Sequence, residues 1–256
     1  MTIHDKAATL RALHEAPEIL RVVNVWDAIS ARVVGDLFET KALATAGHSI
    51  AASHGYEDGK LPLDLTIAAL ERIVATTDLP VTADLDDGYG APAETVRRAI
   101  GAGVVGANVE DRLVPLSEAV ATVEAIIAAG HAEGIDFVLN ARTDAFVLGG
   151  DRPEEVIIAD AIERGHAYLE AGATTVFVPG AITPAIAEAL VAGLGPQKLS
   201  VLGFPGLPTA SQYEALGVGR ISYGPLSQRV ALTALHNLAL DIYGEGGVPS
   251  STLPLN

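Results

Sequence analysis

A (β/α)8 barrel is the fold this sequence predicts, and three observations carry the expectation. Eight short apolar runs alternate with helical patterns along most of the chain. The runs are continuous rather than alternating in polarity, as strands buried on both faces of a parallel sheet require. Polar residues leave the runs at their C-terminal ends, where such a barrel carries its site whatever the reaction. An open doubly wound sheet is the competing arrangement. It calls for a glycine-rich turn after the first strand, and the first run here leads into Asn24-Val-Trp-Asp27 without one.

In order along the chain, residues 2–16 have the spacing of a leading amphipathic helix. Strands are expected at 22–25, 42–45, 81–83, 106–109, 137–140, 175–178, 199–202 and 220–222. Helical patterns occupy 30–38, 63–76, 93–102, 117–132, 154–171, 184–192, 210–216 and 226–243. Pro92, Pro153 and the Thr183-Pro184 pair mark helix starts, because proline's fixed φ suits a first turn whose N–H is unpaired anyway. Ala-Gly pairs at 102–103, 129–130 and 171–172 mark ends, where glycine takes the left-handed cap. All 256 residues are expected to form a single barrel domain, with a Gly-, Pro- and Ser-rich tail at 244–256 that is mobile or reaches a neighbouring subunit.

Composition narrows the function. A hydrophobic content of 49% implies a large buried core. No apolar run reaches the roughly eighteen residues of a membrane span, and acidic residues at Asp5, Glu15 and Glu18 are wrong for a secretory leader. A cytoplasmic protein without membrane partners is expected. Acidic residues outnumber basic ones 32 to 16, for a formal charge of −16, which argues against nucleic acid, whose binders need a Lys/Arg footprint. The absence of cysteine excludes disulfides, thiolate-bound zinc, iron–sulfur clusters and any cysteine nucleophile or acid.

The chemistry centres on residues 81–90. An apolar run there ends in three carboxylates, Asp84, Asp86 and Asp87, before Gly88-Tyr89-Gly90 turns the chain away. Carboxylates crowded at a buried strand end repel one another unless a cation joins them or some are protonated. Hard oxygen ligands favour Mg²⁺, with Mn²⁺ as the alternative. Neighbouring strand ends add Trp26, then Ala46, Gly47 and His48, then Glu110, and then Arg142. Asp84, Asp86 and Glu110 are the expected metal-holding group. Arg142 offers a planar fork for a carboxylate or phosphonate. Backbone N–H groups around Ala46, Gly47 and His48 suit a second anionic end, Trp26 is a candidate pocket wall, and His48 is a candidate proton carrier. His131, His166 and His236 fall in helical segments and read as surface or packing residues.

Taken together, Asp-Leu-Asp-Asp-Gly-Tyr-Gly at 84–90, Val-Glu-Asp-Arg at 109–112 and Asn-Ala-Arg-Thr-Asp-Ala at 140–145 resemble the isocitrate lyase/phosphoenolpyruvate mutase superfamily. The resemblance extends from Asn-Val-Trp-Asp-Ala at 24–28, through Gly47 and Ser-His-Gly-Tyr-Glu-Asp at 53–58, to Gly-Arg-Ile-Ser at 219–222. It implies a barrel with a swapped C-terminal helix, homodimers pairing into homotetramers, and Mg²⁺ bound with a small 2-oxo acid or its enolate. By the same resemblance Asp84 is a metal ligand, Asp86 and Glu110 hold the metal's waters, Arg142 binds substrate, and Asp58 stands beside the reacting carbon. Two features depart from the family. Residues 110–117 pass almost directly into the next helix, without the lyases' cysteine-bearing loop or the mutases' Lys and Asn. Pro179-Gly180 also stands where mutases carry a histidine.

The expected function is therefore Mg²⁺-dependent cleavage or decarboxylation of a small 2-oxo acid or 2-hydroxy/oxo dicarboxylate through an enolate, with Asp58, Arg142 and His48 as catalytic residues. Carbon–phosphorus mutase or phosphonopyruvate hydrolase chemistry is the first alternative. A non-catalytic homologue that keeps the metal cage is the second.

Overall fold

The apolar runs form parallel strands that close on themselves. In the computed structural model, which describes residues 1–255, the strands are β1 (Leu20–Arg21), β2 (Asn24–Val25), β3 (Leu43–Thr45), β4 (Val81–Asp84), β5 (Gly106–Glu110), β6 (Val138–Arg142), β7 (Thr175–Val178), β8 (Leu199–Leu202) and β9 (Arg220–Ser222). Their order is β1-β9-β8-β7-β6-β5-β4-β3-β2. Strands β1 and β2 are one barrel strand broken at Val22–Val23: Leu20 pairs with Arg220, while Val25 pairs with Thr45. The Val22 N–H still reaches the Ile221 carbonyl at 3.0 Å across the break. The expected strand at 22–25 thus starts earlier and in two pieces, because its first half serves the last strand and its second half serves β3.

Among the described residues ten helices surround or cap this barrel: α1 (Ile3–Glu15), α2 (Ala28–Gly35), α3 (Gly47–Ser53), α4 (Leu63–Val74), α5 (Pro92–Gly101), α6 (Leu116–Ala132), α7 (Glu154–Glu170), α8 (Pro184–Leu194), α9 (Ala210–Ala215) and α10 (Leu226–Tyr243). Local chemistry explains several boundaries. Thr2 and Asp5 form a reciprocal capping box on α1, and Thr209 with Gln212 does the same on α9. Asp27 caps α2, its Oδ1 accepting from the Ser30 N–H at 2.7 Å, so this carboxylate, which stands at a strand end in sequence, is spent on a helix start. Helix α3 was not expected. It is only seven residues long and starts from Ala46 with no side-chain cap, so nothing local announces it. Apolar faces of α4 to α8 bury Ile67, Leu70, Val96, Ile126, Ile157 and Leu190 against the strands, and α2 buries Ala31. Among the described residues no helix is long and apolar enough to cross a membrane.

Helix α1 sends Leu10 and His14 into the core. His14 Nδ1 lies 2.8 Å from the Leu10 carbonyl, and its Nε2 lies 3.3 Å from Nη1 of the fully buried Arg220. Only a neutral imidazole can donate at one nitrogen and accept at the other. Burial, reinforced by Arg220, pulls the His14 pKa down from 6.5 to about 3. The unfolded chain protonates this residue near pH 6.5 and the folded one does not. Its stabilisation is therefore complete above pH 6.5 and is lost as pH falls towards 3, by about 1.4 kcal/mol per unit. The mouth carboxylates, with raised pKa values, act in the opposite sense, so the measurement is a difference. Urea unfolding of the wild type and His14→Gln between pH 7 and 4 is expected to show the wild type losing about 1.4 kcal/mol per unit relative to the variant; parallel curves would remove this account.

Helix α10 is exposed along most of its length. Ser227 and Gln228 anchor its first turn, on the Asn24 carbonyl at 2.5 Å and the Ser49 carbonyl at 3.0 Å. Beyond them Val230, Leu232, Leu235, Leu240 and Ile242 all face outward, Val230 with 70% of its surface exposed. In the tail, Pro254 and Leu255 lie beside Arg32 of α2 and Leu37 just past its end, in one shallow groove.

Candidate active site

A cavity of about 460 Å³ opens above the C-terminal ends of the strands. It gathers side chains from β2, from β4 through β9 and from the segments that follow them and β3, including Asn24, His48, Asp58, Asp84, Asp86, Glu110, Arg142 and Ser222. These residues are far apart in sequence and meet because parallel strands in a closed barrel all end on one rim.

The acidic pair is set by Gly47. The Asp84 N–H is held by Thr45 Oγ1 at 3.0 Å, and Asp84 Oδ2 accepts from the Gly47 N–H at 2.9 Å. A β-carbon on Gly47 would stand 3.2 Å from Asp84 Oδ2 and 3.1 Å from Asp86 Oδ1. The missing side chain therefore lets both carboxylates close on the same point. Asp86 reaches it from a left-handed backbone (φ 49°), with Tyr89 also left-handed (φ 55°), a conformation that costs a non-glycine residue about 1 kcal/mol or more. Gly88 makes the turn possible: its φ is +83°, and a β-carbon would sit 2.6 Å from Pro92 Cβ. The Tyr89 hydroxyl is 2.9 Å from Thr66 Oγ1.

On β5 and β6 the charges are paired. Arg142 Nη1 lies 2.7 Å from Glu110 Oε2, and its Nε donates to Asp144 Oδ1 at 2.7 Å. Glu110 and Asp144 orient the guanidinium, Nη2 makes no hydrogen bond among the described residues, and Arg142 lines the cavity. Asp111, between them in sequence, turns away. Its Oδ2 accepts from Tyr168 at 2.6 Å and from Arg164 at 3.1 Å, and its Oδ1 takes the Asp144 N–H at 3.0 Å. It ties the top of β5 to that of β6. On the opposite rim His48 Nδ1 is 3.4 Å from Asp58 Oδ2, both partly exposed. Asn24 Oδ1 accepts from the Tyr223 and Gly224 N–H groups at 2.7 and 2.8 Å, fastening the first strand to the last.

Electrostatics make the site short of positive charge. Five carboxylates (Asp58, Asp84, Asp86, Asp87, Glu110) and two guanidiniums (Arg112, Arg142) line the cavity. Burial pushes the Asp84 carboxyl above its usual range, against the pull of Arg142 and the Gly47 N–H. Asp86 rises to about 7 through burial and the nearby Asp84. Glu110 also rises to about 7 through burial, with Arg142 opposing. A divalent cation would supply what this donor set lacks. No three His, Cys, Asp or Glu side chains among the described residues form a ready-made cage, but Mg²⁺ takes few carboxylates and keeps several waters. Asp84 and Asp86 fit that pattern. Glu110 differs from the other two in pairing directly with Arg142, at 2.7 Å.

Other expected residues fall differently. The Gly47 N–H is occupied by Asp84 rather than free for an anion. Ala46 is buried at the start of α3, and Trp26 packs against the core beside it; neither lines the cavity, because the backbone swings into α2 and α3 immediately after those strands. Lining residues that the sequence did not single out include Asn108, Phe177, Leu202 and Gly59. Phe177 is one letter in an apolar run, and only its register beside Arg142 brings it to the rim.

Comparison with known proteins agrees with this geometry. Residues 10–243 match the family model described as phosphoenolpyruvate phosphomutase. A Corynebacterium glutamicum protein named "Probable 2-methylisocitrate lyase 2" is 32% identical over 94% of this chain and 82% of its own. An oxaloacetate decarboxylase of Pseudomonas paraeruginosa is 29% identical over 91% of this chain and 84% of its own. Among solved structures, a Burkholderia cenocepacia J2315 protein provisionally called a phosphonomutase superposes with TM-score 0.87 at 39% identity, covering 93% of this chain and 98% of its own.

Proposed function

The chain belongs to the phosphoenolpyruvate phosphomutase family of the isocitrate lyase/phosphoenolpyruvate mutase superfamily and is an enzyme; on that footing we propose that it cleaves or decarboxylates a small 2-oxo or 2-hydroxy/oxo dicarboxylate, with Mg²⁺ or Mn²⁺ as cofactor. The observation that carries this reading is the convergence of Asp84 and Asp86 on one point beside Gly47, in the same cavity as an Arg142 guanidinium held by two carboxylates. Asp84 and Asp86 would hold the ion, and Glu110 would orient water near it. When bound, the ion supplies the positive charge that polarises a 2-oxo group.

The chain's own residues account for the remaining steps. Nη2 of Arg142 binds the substrate carboxylate. With an oxo substrate the departing carboxylate leaves as CO2 and the electron pair of the broken bond stays on the neighbouring carbon as an enolate; with a hydroxy substrate His48 first takes the hydroxyl proton, the oxygen becomes the carbonyl of the departing fragment, and the pair stays on the neighbouring carbon in the same way. His48, oriented by Asp58, returns a proton to that carbon. Names of relatives support the reading: oxaloacetate carries such a 2-oxo group, and 2-methylisocitrate a hydroxyl that becomes one when the carbon–carbon bond breaks. The test is a panel of oxaloacetate, 2-methylisocitrate and 2,3-dimethylmalate with Mg²⁺. Turnover of at least one, lost in chelator and restored by Mg²⁺ or Mn²⁺, is expected; no turnover of any would sink the reading. Carbon–phosphorus chemistry is the second reading, favoured by the phosphonomutase-like neighbour at 39% identity. It requires a shifted ³¹P resonance with phosphonopyruvate or phosphoenolpyruvate.

The outward apolar face of α10 supports a homodimer or homotetramer in which this helix packs on a second copy. Light scattering is expected to find the wild type oligomeric and Leu235→Glu reduced to monomer. A monomeric wild type would contradict this.

A further inference from the structure

The turn after β5 carries a second guanidinium to the cavity. Arg142 is gripped by Glu110 and Asp144 at 2.7 Å each, whereas Arg112 is held loosely. The Arg112 side chain is 58% exposed, and its Nη1 lies 3.4 Å from Asp87 Oδ2 and 3.7 Å from Glu110 Oε1. Exposed pairs at such distances contribute little, so neither carboxylate fixes it. Its backbone is fixed instead. Arg112 and Leu113 are consecutive left-handed residues (φ 47° and 52°), and Asp111 holds them there. The Asp111 N–H donates to the Arg142 carbonyl at 3.0 Å, its Oδ1 accepts from the Leu113 N–H at 2.9 Å, and its carbonyl accepts from the Val114 N–H at 2.9 Å. Strained backbone of this kind persists where the surroundings over-determine it, and it gathers at binding sites. Here it sends Arg112 to the cavity rim. Glu110 stands between the two guanidiniums, Oε2 towards Arg142 and Oε1 towards Arg112, so both can reach one small molecule.

We propose that Arg112 is a second substrate-binding residue, which takes the carboxylate that Arg142 does not and makes the site select dianions over monoanions of the same length. The inference rests on the dicarboxylate reading given above. With one carboxylate on Nη2 of Arg142, the other has one guanidinium left in the cavity among the described residues. Its planar fork matches a carboxylate bidentately, and such a partner outcompetes contacts of 3.4 and 3.7 Å to Asp87 and Glu110. A carboxylate held this way keeps its charge. The contact therefore suits a cleavage that retains the group and opposes its departure as neutral CO2, which weakens the contact in the transition state.

The experiment is calorimetric titration of the whole protein, in saturating Mg²⁺, with malate and with 2-hydroxybutyrate, which differ only in a terminal carboxylate against a methyl group. The wild type is expected to bind malate about ten- to a hundredfold more tightly, the scale of a hydrogen-bonded contact between charged groups. Arg112→Gln is expected to lose that preference while binding 2-hydroxybutyrate as the wild type does, and Arg112→Lys to recover part of it. A preference that survives in Arg112→Gln, or a wild type without one, would overturn the inference while leaving Arg142 and the acid-binding site intact. Equal loss of affinity for both acids in Arg112→Gln would mark a structural role and overturn it as well. Failure of either acid to bind the wild type would overturn the reading of the site itself, and this inference with it.

Discussion

Asp84→Asn is expected to abolish turnover while leaving the barrel at least as stable as the wild type. The amide oxygen can still accept from the Gly47 N–H, 2.9 Å from the present carboxylate oxygen, so the local backbone keeps its bond. What disappears is a negative charge whose carboxyl burial already holds above the usual range. Removing a buried charge that lacks an adequate partner relieves a desolvation cost, whereas the bound cation loses its principal anion. Activity should fall about a thousandfold or more, equivalent to about 4 kcal/mol of transition-state stabilisation. The midpoint of thermal unfolding without metal should stay level or rise. Steady-state kinetics with scanning calorimetry checks both halves. Activity within tenfold of wild type would remove Asp84 from the metal site, and a midpoint lowered by about 5 °C would mean the carboxylate is structural.

Arg142→Met is expected to damage both binding and stability, because the guanidinium serves both. It lies between Glu110 and Asp144, the latter side chain only 3% exposed. Deleting it leaves two buried carboxylates without their cation, a loss of about 3 kcal/mol or more for a broken buried pair. The pH dependence identifies the cause. Glu110 stands at about 7 even with the guanidinium opposing its rise, and Asp144 is raised as well. A carboxyl whose folded pKa lies above its unfolded value gains stability from protonation as pH falls through the folded value. The deficit of Arg142→Met should therefore be largest at pH 8 and shrink towards pH 5. Urea unfolding at those two values measures it. Independently, KM for the preferred substrate should rise about a hundredfold, the scale of a lost charge-assisted contact. A pH-independent deficit would show that packing around the aliphatic stem matters more than the orphaned charges.

Much of this was legible in the chain itself. The repeat of apolar run and helix is a periodic signal, and periodicity survives without knowledge of neighbours. Asp84, Asp86, Glu110 and Arg142 stood out because carboxylates and guanidiniums at strand ends cost too much to bury without purpose. Their division of labour was less visible. Glu110 is adjacent in sequence to Asp111, yet one faces the cavity and the other a buried Arg164–Tyr168 pair. Alternation along a strand end decides which is which, and a shift of one residue reverses it. Trp26 and Ala46 were expected at the cavity and lie outside it, because Asp27 starts α2 and Ala46 starts α3 at once.

The sequence by itself determined the barrel, the absence of thiol chemistry and the acidic, oxygen-rich character of the site, all of which follow from residue types and their spacing. Only the tertiary structure decided that Gly47 brings two carboxylates to one point, that Glu110 and Asp144 aim Arg142, and that α10 leaves an apolar face unpaired. Those outcomes depend on contacts between segments tens of residues apart, such as Thr45 with Asp84 and Asn24 with Gly224. Strand closure alone sets the distances between them, and no local propensity encodes it.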